Sequence, residues 1–345
     1  MSIKFSEKYF KNKNLNIEIV EIKDIFRYKI YKIRIKSKED YEKLKEEISF
    51  LRRDFEVMFE EISDEVMIFY LYLAQDENSR KVLGKTEFEA DLSKNDKKYD
   101  IAVYCGRDME NKPYFLNLVD CGHIFIAGVP GSGKTVLLNN FIISIAKLNS
   151  NIEFIFIEPE YRYDFEIYEN LVNLSEISNK KVVKEPQITH EIIKKILQEM
   201  KNRYKIFDKN GVKKNSELTK PFANIVVMID EDNGNLFCEN SAFYNEDSQK
   251  SLEILAEKGA AAGIFIIFSS LAGALWGYSL NLMKHFPTRI AMFAATSKES
   301  RLIIGENGAE NLLGTGIMYL KMNDKKTMLF APFLGYDKEI KEIFS

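Results

Sequence analysis

Residues 128–135 of this sequence, GVPGSGKT, have the residue types and spacing of a phosphate-binding loop. Glycines let the backbone curl so that consecutive N–H groups point at one anion, and the positive end of a following helix adds to them. Lys134 is expected to place its ammonium on the β- and γ-phosphates of ATP, and Thr135 to offer its hydroxyl to Mg²⁺. The residues expected to hold the nucleotide are Gly128, Val129, Pro130, Gly131, Ser132, Gly133, Lys134 and Thr135.

Two carboxylates follow an apolar run in residues 224–231, NIVVMIDE. The run indicates a buried strand, and ligands of open parallel sheets bind beyond the carboxyl ends of the strands. Asp230 is expected to hold the Mg²⁺ shell, and Glu231 to orient and deprotonate the attacking water. The alternative is an ordinary strand that ends in an acidic turn.

Short apolar runs alternate with helical patterns from about residue 100 onward. Such βα alternation predicts an α/β fold with a mainly parallel sheet and helices on both faces. The predicted strands are 124–127, 154–157, 225–229, 264–268, 289–293 and 317–320, and the predicted helices are 135–147, 189–207 and 247–258.

The first part of the chain has a different pattern. Residues 26–35 and 65–73 read as strands, and residues 37–53 as a helix with Ser37 as its N-cap. These elements predict a small α+β module, and the polar residues 76–98 suit a linker or surface loop. We therefore expect a small α+β domain with its linker over residues 1–98, and a nucleotide-binding domain over residues 99–345.

Composition excludes several classes of protein. The 345 residues include 49 basic and 52 acidic side chains, for a net charge of −3, which excludes a histone-like polycation but not a local basic track for nucleic acid. Three scattered cysteines without CxxC, and three histidines without HExxH, argue against a disulfide scaffold, a zinc knuckle and a histidine-based metal site.

A membrane anchor is not expected. Residues 259–283 have no charged side chain, but Gly263, Gly273 and Gly277 interrupt the stretch, which fits a buried strand better than a membrane span. The charged N-terminus lacks the apolar core of a signal peptide. We therefore expect a cytoplasmic protein.

Beyond the two nucleotide motifs, the sequence resembles the FtsK/SpoIIIE family of ring-shaped motor ATPases. The resemblance spans about residues 100–330, and the residue 20–75 module is similar in outline to the small domain that precedes the motor. The segments that carry it are 106–128 with its histidine before the loop strand, 199–207 (EMKNRYKIF) with Gly211, 255–264, 287–291, 297–303 and 308–314.

The resemblance implies a RecA-like P-loop NTPase domain, assembly into a homo-oligomeric ring, expected to be a hexamer, and double-stranded DNA as the cargo. It also implies that Arg289 and Arg301, which match family arginines, complete a neighbouring subunit's site. The alternative for each arginine is a surface salt bridge. Short members of the family on mobile elements or in conjugation modules suggest the setting, with a membrane-bound or recruiting partner.

Two departures from the family pattern bear on the coupling of ATP hydrolysis to movement. The family's γ-phosphate-sensing glutamine is replaced by Leu271, and Ala260 stands where many members have arginine. Two alternatives to DNA translocation therefore stay open: a protein-export motor of the type VII secretion kind, and a slowly hydrolysing nucleotide-dependent switch or assembly factor.

Four other side chains have two possible roles each. Arg203 lies on a basic helix that could follow a phosphate backbone or simply face solvent. Trp276 and Tyr278 could stack on bases or belong to a core or interface. His123 could be a catalyst or a structural hydrogen-bonding group, and the second role is expected.

Overall fold

The computed structural model describes residues 11–25, 28–35, 37–51, 57–63, 68–74, 84–95, 99–231, 244–312, 315–332, 334 and 337–345. These residues form two separate sheets. The first has four strands from residues 17–74, and the second has nine strands from residues 102–330.

The first sheet is antiparallel, with the order β1-β2-β4-β3. Tyr31, Ile33 and Ile35 are buried in β2, which confirms the predicted half-exposed strand. The predicted N-cap is also confirmed, because Ser37 Oγ accepts a bond from the Asp40 N–H at 3.1 Å. The elements are β1 (Ile17–Ile25), β2 (Tyr28–Ile35), α1 (Lys38–Leu51), β3 (Val57–Ser63) and β4 (Ile68–Ala74).

Two of these strands were not predicted. β1 and β3 contain several charged residues, so their periodicity is weak in the sequence. They are strands because they hydrogen-bond along β2 and β4. Parts of the predicted strands and helix, at residues 26–27, 52–53 and 65–67, lie outside the described residues.

The loop or linker prediction for residues 76–98 is wrong for α2 (Lys85–Leu92). Phe88 and Leu92 of this helix pack into the core of the second sheet. Asp91 is fully buried and accepts bonds from the Tyr104 hydroxyl at 2.6 Å and from Arg107 Nε at 2.6 Å. The division of the chain into domains 1–98 and 99–345 stays a prediction.

The second sheet has the order β6-β5-β13-β12-β11-β7-β10-β9-β8. Strands β11, β7, β10, β9 and β8 are parallel, and the remaining pairings are antiparallel. The elements are β5 (Ala102–Asp108), β6 (Pro113–Asn117), α3 (Leu118–Cys121), β7 (Ile124–Gly128), α4 (Lys134–Leu148), β8 (Ile152–Ile157), α5 (Pro186–Asn210), β9 (Asn224–Glu231), α6 (Glu246–Lys258), β10 (Ile264–Leu271), α7 (Leu280–Lys284), β11 (Thr288–Ala291), α8 (Ser297–Ile304), β12 (Ile317–Met322), β13 (Lys325–Phe330) and α9 (Asp337–Phe344).

Helices cover both faces of this sheet, as predicted. Phe125 and Ala127 of β7 belong to the core beneath α5 and α6, whereas Ile124 and Ile126 belong to the core beneath α4 and α9. A strand buried on both faces reads as a continuous apolar run, which explains why the central strands were visible in the sequence. The α/β fold class is confirmed.

The uncharged stretch 259–283 is divided between β10 and short helical segments. Ile264–Leu271 is a strand between β7 and β9. Among the described residues, none of the helices has the length and apolar character needed to cross a bilayer.

Candidate nucleotide site

The phosphate-binding loop joins β7 to α4 at the carboxyl edge of the parallel strands. The Val129 N–H donates to the Phe293 carbonyl at 2.9 Å, and the Gly316 N–H donates to the Ser132 carbonyl at 3.0 Å. Gly133 has a φ of 104°, and a Cβ there would lie 3.0 Å from Thr315 Cγ2. Glycine is therefore needed at this position for both backbone conformation and space.

Lys134 opens α4 and is 9% exposed. Its Nζ donates to the carbonyl oxygens of Gly128 and Val129, both at 3.1 Å. The ammonium therefore lies inside the curl of the loop, where its charge faces any anion bound by the loop N–H groups.

Thr135 and Asp230 meet although 95 residues separate them in the sequence. The Thr135 hydroxyl lies 3.4 Å from Asp230 Oδ2, and Asp230 is 5% exposed. Burial raises the pKa of the Asp230 carboxyl, and the nearby Arg162 guanidinium opposes that rise. A hydroxyl and a carboxylate are hard oxygen ligands that suit Mg²⁺, so this pair fits the predicted metal.

Arg162 is part of the site and was not predicted. Its Nη2 donates to Thr135 Oγ1 at 2.8 Å and lies 3.3 Å from Asp230 Oδ2. The residue follows β8, the edge strand next to β9. Residues that follow neighbouring parallel strands converge at one edge of the sheet, and this rule could have identified Arg162 as a candidate site residue.

A buried carboxylate holds the segment that carries Arg162. Glu158 is fully buried and accepts the backbone N–H groups of Asp164 at 3.0 Å and Phe165 at 3.1 Å. Burial raises the pKa of the Glu158 carboxyl, while the Phe165 N–H and Lys184, at 3.3 Å, oppose that rise. The segment is thereby bent back towards the phosphate-binding loop.

Glu231 is the last residue of β9, and its Cα pairs with that of Ser270 in β10. Its side chain lies outside the described part of the chain, so its role as the base stays a prediction. The backbone places it beyond Asp230, at the same edge as the loop.

Among known protein families, residues 89–304 match the one described as the FtsK/SpoIIIE family. The matched segment is more than half of the chain and contains the loop, Arg162, Asp230 and Glu231. This chain belongs to the FtsK/SpoIIIE family. The family resemblance predicted from the sequence is therefore confirmed.

Curated relatives include two proteins named DNA translocase FtsK. That of Halalkalibacterium halodurans is 29% identical over 285 residues, covering 76% of this chain and 34% of the relative. That of Listeria monocytogenes is 30% identical over 269 residues, covering 72% of this chain and 33% of the relative. This chain thus spans about a third of the length of these relatives.

Two solved structures share the fold. The pCW3 conjugation coupling protein TcpA, in its monomer form with ATPγS, has a TM-score of 0.64 at 16% identity, covering 98% of both chains. EssC (ATPases 2 and 3) of Geobacillus thermodenitrificans has a TM-score of 0.59 at 18% identity, covering 71% of this chain and 49% of that one. These structural similarities support the RecA-like fold predicted from the sequence.

Leu271, which the resemblance places at the family's sensor position, has an apolar side chain. Leu271 ends β10, and its Cα pairs with that of Gly128 in β7. A cleft of about 370 Å³ lies there, lined by Val129, Pro130, Leu271, Gly273, Ala274 and Glu299. The Leu271 side chain has no hydrogen-bonding group, so it cannot sense a phosphate as a glutamine amide could.

The two family arginines have different surroundings. Arg289 donates to three backbone carbonyl oxygens of its own chain, those of Met283 at 2.7 Å, Phe286 at 3.2 Å and Ile303 at 3.4 Å. Burial lowers the pKa of the Arg289 guanidinium. Arg301 is exposed on α8, and its Nη1 bonds to Asn307 Oδ1 at 2.5 Å. Neither predicted surface salt bridge is among the ion pairs of the described residues, and a role in a neighbour's site stays a prediction for both.

Both predicted roles are wrong for Arg203. It is 4% exposed, and its Nη1 donates to the carbonyl oxygens of Ala223 at 2.9 Å and Ala262 at 3.0 Å. Its Nε donates to Glu199 at 2.8 Å. The side chain ties α5 to the segments that precede β9 and β10, so it neither faces solvent nor is available to DNA.

We predict that replacing Arg203 by methionine lowers the free energy of unfolding by about 3 kcal/mol, because two buried carbonyl groups lose their donor. Urea denaturation of the two proteins measures this. Lys201→Met, at an exposed position of the same helix, is the control and should change stability by less than about 0.5 kcal/mol. Equal losses in the two variants would contradict the role given to Arg203.

Tyr278 belongs to the core. It is 6% exposed, its hydroxyl lies 2.7 Å from Ser270 Oγ, and its ring packs edge-on against Phe268. The core interpretation is confirmed and base stacking by Tyr278 is wrong. The side chain of Trp276 lies outside the described residues.

His123 is a structural hydrogen-bonding group, as predicted. It is 2% exposed, and its Nδ1 accepts the Ile266 N–H of β10 at 2.9 Å, so the ring must be neutral. Burial, helped by the charge of His285, lowers the pKa of His123 to about 4.

This pKa predicts the sign of a pH effect. Below about pH 6.5 the unfolded chain binds a proton at His123 that the folded chain refuses until about pH 4, so this residue's contribution to stability falls as the solution becomes more acidic. We expect a loss of about 1 kcal/mol in unfolding free energy between roughly pH 6.5 and 5.5, absent from His123→Asn. Urea denaturation of both proteins at both pH values tests it. A His123→Asn slope equal to that of the wild type would contradict it.

Proposed function

We propose that the chain is an ATP-driven motor that assembles as a ring and moves double-stranded DNA. The observation that carries the proposal is the meeting of Lys134, Thr135 and Asp230 at one sheet edge in a chain of the FtsK/SpoIIIE family. Family membership supports a motor ATPase. That the motor moves DNA, assembles as a ring and forms a hexamer is proposed in addition.

The loop N–H groups and the Lys134 ammonium bind and orient the phosphates of ATP. On binding, the Lys134 ammonium exchanges the carbonyl oxygens of Gly128 and Val129 for phosphate oxygens. Its positive charge is then paired with the negative charge of the phosphates. Thr135 and Asp230 would hold Mg²⁺. The ion would neutralise charge that develops on the phosphates during transfer.

Glu231 is proposed to orient the attacking water from the end of β9 and to accept its proton. Its Cα lies next to that of Asp230 in the strand, and successive side chains of a strand point to opposite faces. Asp230 faces Thr135, and the adjacent carboxylate is the one we assign to the water.

Completion of the site by a neighbouring subunit is also part of the proposal. Exposed Arg301 can reach a neighbour without losing a buried bond, whereas Arg289 must first leave three carbonyl oxygens. We favour Arg301 as the residue that stabilises charge on the neighbour's γ-phosphate. Heterologous contacts of this kind close a ring.

DNA as the cargo is supported by the relatives named DNA translocase and by the whole-chain fold shared with a conjugation coupling protein. We therefore propose a conjugation-type or mobile-element setting in the cytoplasm, with a membrane-bound or recruiting partner protein. The type VII secretion alternative is supported by the fold that 71% of this chain shares with the cytoplasmic domain of the Type VII Secretion ATPase EccC of Thermomonospora curvata.

The test is steady-state ATP hydrolysis with and without linear double-stranded DNA. We expect DNA to stimulate hydrolysis several-fold, and heparin at equal charge concentration to have little effect. Hydrolysis that is indifferent to DNA would overturn the DNA proposal and favour a polypeptide cargo.

A slow switch is the second candidate, and the apolar Leu271 beside Gly128 is the observation that favours it. A site without the sensing amide can bind ATP through the loop and still hydrolyse it slowly. Very low turnover with intact ATP affinity, unchanged by DNA, is the result that would replace the motor by the switch.

A further inference from the structure

The guanidinium of Arg162 lies where the two expected metal ligands meet. Its Nη2 is 2.8 Å from Thr135 Oγ1 and 3.3 Å from Asp230 Oδ2. One cationic nitrogen therefore contacts both oxygen ligands, at residues that are distant from it in the sequence.

Arg162 is held in this position by its own segment. Its Nε is bonded to the Asp164 carboxylate, and its carbonyl oxygen accepts Lys184 Nζ at 2.6 Å. Lys184 is also paired with Glu166 at 2.7 Å, and Glu158 anchors the backbone of Asp164. The side chain of Arg162 is 25% exposed, so it is not a freely rotating surface arginine.

The arginine and a metal ion cannot share these ligands. Mg²⁺ binds oxygen at about 2.0–2.1 Å and is demanding about its geometry. A guanidinium nitrogen at hydrogen-bond distance from the same two oxygens would occupy that space, and two positive charges there would repel each other. Binding of one therefore requires departure of the other.

We propose that Arg162 is a built-in competitor of Mg²⁺ at Thr135 and Asp230. It neutralises the buried Asp230 carboxylate while the metal is absent, and it raises the Mg²⁺ concentration at which the metal–nucleotide complex forms. It is a positioning residue for the metal site. The inference rests on the proposed function only in that the loop must bind a nucleotide.

The test measures binding of a fluorescent ADP while Mg²⁺ is titrated into EDTA-treated protein. We expect Arg162→Gln to lower the half-saturating Mg²⁺ concentration about five-fold or more, because the competing cation is gone. Lys181→Gln is the matched control. It removes one exposed positive charge from a nearby segment and should leave the midpoint unchanged.

A second variant guards against a folding defect in the first. Asp164→Asn weakens the ion pair that aims Arg162 but leaves both metal ligands and the Asp164 N–H bond to Glu158 in place. It should lower the midpoint in the same direction by a smaller factor. Thermal melting without nucleotide checks that each variant is folded.

The outcomes separate this inference from the proposed function. Equal Mg²⁺ midpoints in wild type, Arg162→Gln and Asp164→Asn, or higher midpoints in the variants, would overturn the competitor role while leaving the nucleotide site intact. Failure of the wild type to bind the fluorescent ADP at any Mg²⁺ concentration would overturn the nucleotide site itself, and this inference with it.

Discussion

Lys134→Ala is expected to reduce ATP hydrolysis by at least ~100-fold, the usual consequence of removing a group aimed at developing charge in a site shielded from water. The ammonium lies inside the loop on the carbonyl oxygens of Gly128 and Val129. Because no other lysine or arginine lies within the eight-residue loop, its loss leaves the loop with only backbone N–H groups to bind the phosphates. A coupled assay of phosphate release measures the loss of hydrolysis, and fluorescent-ATP binding measures any loss of affinity.

The control for this experiment is Lys195→Ala, at an exposed position of α5. It removes the same chemical group from a helix that contributes no residue to the loop, and it should leave hydrolysis within two-fold of the wild type, roughly the scatter that exposed substitutions show. Retention of more than a tenth of wild-type hydrolysis by Lys134→Ala would exclude the loop as the site of ATP turnover. Loss in both variants would indicate a general effect of charge.

Glu231→Gln is expected to give the second large effect, a loss of ~100-fold or more in hydrolysis with ATP binding retained. Glutamine keeps the shape of the side chain but cannot accept the proton of the attacking water. Because the substitution leaves the loop and Asp230 untouched, nucleotide affinity should change little. Single-turnover hydrolysis and equilibrium binding, measured on the same preparation, separate the two quantities.

Asp230→Asn is the informative companion, since it changes the adjacent carboxylate. Asp230 is buried beside Thr135, so its neutralisation should weaken Mg²⁺-dependent binding as well as hydrolysis. The pair of variants thus assigns one carboxylate to the metal and the other to the water. If Glu231→Gln lost binding and Asp230→Asn did not, the two roles would have to be exchanged.

The fold was readable from the sequence where strands are buried on both faces. β7, β8, β9 and β10 are short apolar runs whose core positions do not depend on which neighbour they meet. β1 and β3 were missed because their charged residues blur the pattern, and α2 was taken for a loop because only Phe88 and Leu92 mark its buried side. In those elements the neighbours decide the structure.

The same division applies to side chains. Arg203 shares its helix with exposed lysines and looks like them in sequence, yet it faces Ala223 and Ala262 because the helix turns that side towards the sheet. Arg289 likewise looks like any basic residue, and its three carbonyl partners come from the segment before β11 and from α8. Whether a cation serves the fold or a ligand depends on partners that are distant along the chain.

The sequence alone predicts the phosphate-binding loop and the acidic end of β9, because their chemistry is local: adjacent residues supply the curled backbone, the lysine and the carboxylates. Only the tertiary structure could place Arg162, which reaches Thr135 and Asp230 from a third segment that carries no motif. The parallel order of β8, β9, β10 and β7 brings these segments to one edge. Strand order depends on the whole sheet, and therefore so does the set of residues that meet at this edge.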